Sequence, residues 1–184
     1  SVPASAAFVD VATVIADTGG TFGPGGGPNP GKDQSNVGPS TGSDDTLLAF
    51  APFNDTTSPV VFDQSQFPNA NPDTVRDAVN DFLGLNEELV SFTGQDEPGR
   101  LDVPDTDFLT PPFGGCTGGA GTSCNFDIEE DFGYYVVKYA TIYALFEDGG
   151  DNIAHFELGD GNFDTSNLTF ITPLPAAAWM MIGG

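Results

Sequence analysis

Apolar and polar residues alternate with a period of two over several stretches of this chain, and with a helical period over one short stretch. Val9, Val11, Thr13 and Ile15 interleave with Phe8, Asp10, Ala12, Val14 and Ala16, which predicts a strand with one apolar face and one nearly so. Such a strand needs cover on both sides. Residues 47–50 and 60–62 are two further apolar runs, the second following an Asn-Asp-Thr-Thr-Ser-Pro turn at 54–59. The period then changes. Val75, Ala78, Val79 and Phe82 share one stripe of a helix predicted over about 73–85, with Asp73 as its cap and Gly84 near its stop. Its other face carries Arg76, Asp77, Asn80 and Asp81, a solvated surface rather than a site.

From Leu89 onward the strand pattern returns. Residues 132–143 alternate and are rich in β-branched and aromatic side chains, and 144–146 extend that strand to a turn at 147–152. Residues 153–158 are expected to fold back as the second arm of a hairpin, and 168–171 form a last short strand. Together these predict a mainly β fold, an antiparallel β-sandwich of jelly-roll type with one α-helix and a long Gly/Pro-rich loop. A chain of 184 residues fits one such domain, assigned to 7–171. Residues 1–6 read as the remnant of an export signal, because Ala4-Ser5-Ala6 has the small-x-small form of a peptidase site. Residues 172–184 form a separate C-terminal segment. Its apolar stretch is far shorter than the about 20 residues that a membrane-spanning helix requires.

Charge narrows the function classes. The formal net charge is -23, with Lys32, Arg76, Arg100 and Lys138 as the cations, so no face can neutralise a phosphate backbone. Nucleic acid and anionic membrane surfaces are thereby excluded as expected partners. Gly26, Gly31 and Lys32 copy the spacing of a phosphate-binding loop, but Asp33 stands where that loop needs Ser or Thr, and Pro28 and Pro30 lack amide donors. Residues 19–43 read instead as a polyproline-like surface loop. Aspartate far outnumbers glutamate, which places the charge in turns and makes hard cations the ligands to test for.

Cys116 and Cys124 bracket a glycine-rich loop and are the only cysteines. With no histidine near them a metal site lacks ligands, so a disulfide formed in an oxidising compartment is expected. His155 is the only histidine, and on the alternation of its strand it shares a face with Ile153 and Glu157. That is the setting of a surface pair rather than of a catalytic base. Glu129 and Glu130, adjacent on a predicted strand, point to opposite faces and cannot flank one bond. No enzymatic activity is therefore expected. Calcium is the candidate cofactor: Asp160, Asn162 and Asp164 repeat the first three ligand positions of a calcium loop, and Asp148 and Asp151 occupy the preceding turn. Thr165 and Ile171 replace the glycine and glutamate of an EF-hand, so the site would be irregular.

The run YYVVKYATIYALF, a Gly-Asp turn, a strand, and a final SNLTFI strand leading into Pro173, Leu174, Pro175, Ala176, Ala177, Ala178 and Trp179 resembles exported bacterial proteins of the PEP-CTERM class, in its VPLPA sorting-signal variant. The helix ending in FLGLNEEL is similar to a segment that many of these proteins carry before their β-rich half. The resemblance implies a secreted, sandwich-like protein, processed near that motif by an exosortase and associated with extracellular matrix, exopolysaccharide and biofilm. Membrane contact is then transient, through the sorting helix.

The expected function is that of a non-enzymatic structural protein of the cell surface or matrix, self-assembling into a homo-oligomer or fibre by strand exchange. Val9, Val11, Ile15, Trp179 and Met180 are its candidate subunit contacts, because both ends of the chain are apolar. The alternative is a secreted, calcium-dependent carbohydrate-binding module that stacks sugar on Phe22, Phe53, Phe67, Tyr134 or Tyr143.

Overall fold

The computed structural model describes residues 37–52, 71–95, 97–103, 114–117, 122–139, 142–158 and 165–172. Within them two antiparallel sheets face each other, as the alternation predicts. The smaller sheet has the order β1-β8-β5-β4, built from Val37–Pro39 (β1), Gly115–Cys116 (β4), Thr122–Asp127 (β5) and Ile153–Leu158 (β8). The larger has the order β2-β7-β6-β9-β3, from Thr46–Pro52 (β2), Arg100–Asp102 (β3), Tyr134–Tyr139 (β6), Ile142–Glu147 (β7) and Thr165–Ile171 (β9). The described strands do not by themselves define a jelly roll. The expected strands at 8–16 and 60–62, the export remnant, most of the Gly/Pro-rich loop and the sorting motif lie outside the described residues.

Two cores follow from the two faces of the larger sheet. Tyr135, Val137, Tyr139, Ala144, Phe146, Leu168 and Phe170 point inward and meet Phe126, Ala154, Phe156 and Leu158 of the smaller sheet. Rings dominate this layer: Tyr135 stacks on Phe146 with centroids 5.0 Å apart, and Phe132 meets Phe170 edge-on at 5.0 Å. The other face, carrying Ala49, Tyr134, Val136, Tyr143, Leu145 and Ile171, packs under the helix Pro72–Leu83 (α1) through Val75, Ala78 and Val79. The larger sheet is thus covered on both sides, which explains why its strands read as almost unbroken apolar runs. The smaller sheet keeps one wet face, and β8 alternates accordingly, with Ala154, Phe156 and Leu158 buried between the half-exposed Ile153, His155 and Glu157.

Helix α1 begins one residue earlier than expected. Asn71, not Asp73, is the cap: its side chain accepts the Asp73 amide at 2.9 Å, and Pro72 takes the first helical position, where a missing N–H costs nothing. Gly84 stops the helix at φ 68°, as expected from a left-handed cap. Phe82 is not part of the buried stripe and stays 36% exposed, because the sheet-facing arc is filled by Val75, Ala78 and Val79.

The single strand expected over 132–146 is two strands. Tyr139 pairs with Ile142, so β6 and β7 form the hairpin. No glycine, proline or asparagine marks this reversal, and because both strands are buried on both faces the apolar residues continue from one into the next. The expected hairpin between β7 and β8 does not form, because the turn after Glu147 carries the chain across to the other sheet, where β8 pairs with β1 and β5. Among the described residues no helix is long and apolar enough to cross a membrane.

Candidate functional site

At one end of the sandwich two connections cross between the sheets: the one from β1 to β2, which carries Asp45, and the one from β7 to β8, which carries Asp148 and Asp151. They meet there. One carboxylate oxygen from each of the three aspartates lies within 4.8 Å of the others. Asp45 is buried, 4% exposed, and is held by donors from three parts of the fold. Its Oδ1 accepts the Gly149 amide at 2.8 Å; its Oδ2 accepts the Tyr135 hydroxyl at 2.6 Å and the His155 amide at 2.8 Å. The Asp45 amide in turn donates to the Ser43 hydroxyl.

Asp148 is less completely served. Its Oδ2 accepts the Gly150 and Asn152 amides at 2.7 and 3.4 Å, but its Oδ1 is buried without a hydrogen-bond donor among the described residues. Burial pushes its carboxyl from the ordinary 3.8 up to about 6. The two amide bonds oppose that rise, while the negative charges of Asp45 and Asp151 add to it. Asp151 lies nearer the surface, with Oδ1 accepting the Ile153 amide at 3.0 Å and Oδ2 3.1 Å from His155 Nε2.

His155 completes the edge of the cluster. Its Nδ1 lies 2.5 Å from Asn125 Oδ1 on the neighbouring strand β5, and Nε2 faces Asp151, so both ring nitrogens are engaged and the imidazole is a brace between β5 and the turn. Glu129 and Glu130 are not on a strand: they sit exposed in the bend after β5, where Glu129 adopts φ 59° and the Asp127 carboxylate accepts its amide.

Of the expected calcium ligands, the fold brings Asp148 and Asp151 together; Asp160, Asn162 and Asp164 lie outside the described residues. Asp45 is the member that sequence reasoning missed, since it arrives from the far half of the chain and carries no local motif beyond a Ser-Asp-Asp turn. Three carboxylates form an all-oxygen donor set of the kind calcium or magnesium takes, and the orphaned Asp148 Oδ1 is the atom with most to gain from one.

The cysteines form the expected disulfide. Cys116 of β4 and Cys124 of β5 stand directly opposite one another, with Cα atoms 4.0 Å apart. Tyr134 and Tyr143, two of the aromatics considered for sugar stacking, are 8% and 1% exposed beneath α1 and have no face to offer. Phe22, Phe53 and Phe67 lie outside the described residues. No protein-family model, no curated protein and no solved structure matches this chain.

Proposed function

We propose that this protein is an exported, non-enzymatic structural component of the cell surface or extracellular matrix that associates with copies of itself. The observation that carries this reading is the border of the larger sheet. Among the described residues β2 has a neighbour on one side only, and it is seven residues long, whereas the other border strands β1, β3 and β4 have three, three and two. Long border strands are what β-sheets usually blunt, because their open backbone groups accept a further strand. Two blunting devices are present, a register shift between Leu47 and Ala49 and the donorless Pro52 at the end of the strand, and between them Ala49–Ala51 stays in regular pairing with β7.

The disulfide and the likeness of residues 173–179 to an exosortase sorting motif support export. The acidic surface supports solubility in transit. Negative-stain microscopy and sedimentation of the purified chain test self-association: fibres or concentration-dependent oligomers are expected, and a monomer that stays monodisperse at millimolar concentration overturns it. Mass spectrometry of the native C-terminus tests the sorting step separately.

A second reading is favoured by the buried, donorless Asp148 Oδ1: a calcium-dependent module in which Asp45, Asp148 and Asp151 hold the ion and exopolysaccharide is the ligand. Melting temperatures with millimolar calcium and with chelator decide it, since an occupied cluster raises the transition and an unchanged one removes this reading.

A further inference from the structure

The helix-facing side of the larger sheet is not apolar throughout. Two residues along β6 from Val136 stands Lys138, whose register partners are Tyr143 on β7 and Asn167 on β9; Asn167 in turn pairs with Asp102 on β3. Direct register partners share a face. Tyr143, Lys138, Asn167 and Asp102 therefore form one row across four strands, on the side opposite Tyr135, Val137 and Leu168. The row is withdrawn from water in its middle and open at one end: Tyr143 is 1% and Asn167 5% exposed, Lys138 is half-buried, and Asp102 is exposed. Burial, and then the nearby Arg100 guanidinium, lower the Lys138 amine from its ordinary value and enlarge its uncharged fraction. Asp102 closes the row, with Oδ1 held by Arg100 Nε at 2.7 Å.

We propose that Lys138 and Asn167 become joined by an intramolecular amide bond. In an antiparallel pair the Cβ atoms of opposed residues are about 4.5–5.5 Å apart, so the lysine side chain is long enough to bring its amine to the carboxamide opposite. After losing its extra proton to solvent, the Lys138 amine attacks Asn167 Cγ. The Nζ–Cγ bond forms, the Cγ–Nδ2 bond breaks, and the amine proton passes by way of the Asp102 carboxylate to the departing nitrogen, which leaves as ammonia. A primary amine and a primary amide give a secondary amide plus ammonia, with no oxidant or co-reactant. One slow turnover per molecule suffices, so the amine need be uncharged only part of the time. The product clamps the central strand β6 to β9 by a bond that reductants do not cleave.

The test is the intact mass of the purified full chain with its disulfide reduced. A mass below the sequence value by one ammonia is expected, together with a proteolytic peptide that joins the segment containing Lys138 to the one containing Asn167. Lys138→Arg and Asn167→Ala should each restore the unmodified mass, and Asp102→Asn should slow the loss. A wild-type chain at its full sequence mass overturns the proposal without any variant having to fold. An ammonia loss that persists in Lys138→Arg also overturns it, since it would come from an asparagine reacting with its own backbone. An unchanged rate in Asp102→Asn removes Asp102 from the step.

Discussion

Asp45 and Tyr135 meet at 2.6 Å across the end of the sandwich, the carboxylate coming from the β1–β2 connection and the hydroxyl from the central strand of the larger sheet. Burial and the carboxylate together push the Tyr135 phenol well above its ordinary range, so the group stays a donor at any physiological pH. Tyr135→Phe removes one of the three donors to Asp45 and should cost about 1–2 kcal/mol in denaturant unfolding. Asp45→Ala strands all three donors and should cost about 3 kcal/mol or more. Equal losses from the two variants would show that Asp45 is not the hub of this contact.

Asp148 gives the fold a pH dependence of definite sign. Its carboxyl titrates at about 6 in the folded chain against 3.8 ordinarily, so between those values the native state binds more protons than the unfolded one. Its contribution to stability therefore rises as pH falls from 7 towards 4. The melting temperature of Asp148→Asn should show less of this rise than the parent, and at pH 7 it should lie above it. A divalent cation that binds here would give the parent the same relief at neutral pH.

The disulfide is expected to add stability without deciding the fold. Its cysteines are separated by eight positions, and closing a loop of that size is worth about 2.5 kcal/mol by chain entropy. Cys116→Ser/Cys124→Ser should lower unfolding free energy by about that amount and leave the far-ultraviolet spectrum unchanged. Reductant should then have no further effect on the double variant.

Asn71→Ala, which strips the side-chain bond to the Asp73 amide, should cost about 1 kcal/mol. Gly84→Ala should cost a similar amount, because alanine resists the φ of 68° that ends α1. Open space surrounds a Cβ built at Gly84, so backbone conformation alone would be responsible. Thermal unfolding of both variants checks this.

The class of fold was legible because alternation and helical period are local: β8, α1 and the disulfide could each be read from neighbouring residues. What was not legible depended on distant chain. The β6–β7 reversal left no mark because each strand is buried on both faces, so apolar residues run on from one strand into the next. The crossing of β8 to the other sheet is governed by Gly149 and His155 donating to Asp45, over a hundred positions away. The aspartate cluster was half visible for the same reason, as two turn residues without the third. Asn71 is hard to single out as the cap because Asp73, with the same chemistry, lies two residues on.

The register of the border strands also bears on when this chain can fold. β1 and β2 find their partners in β8 and β7, at residues 142–158, so neither sheet can close until the last third of the sequence has emerged. Pairings of such long range carry a large loop-closure cost and form slowly. β1 and β2 are therefore without their native partners while the chain is being made, and their pairing waits on residues 142–158.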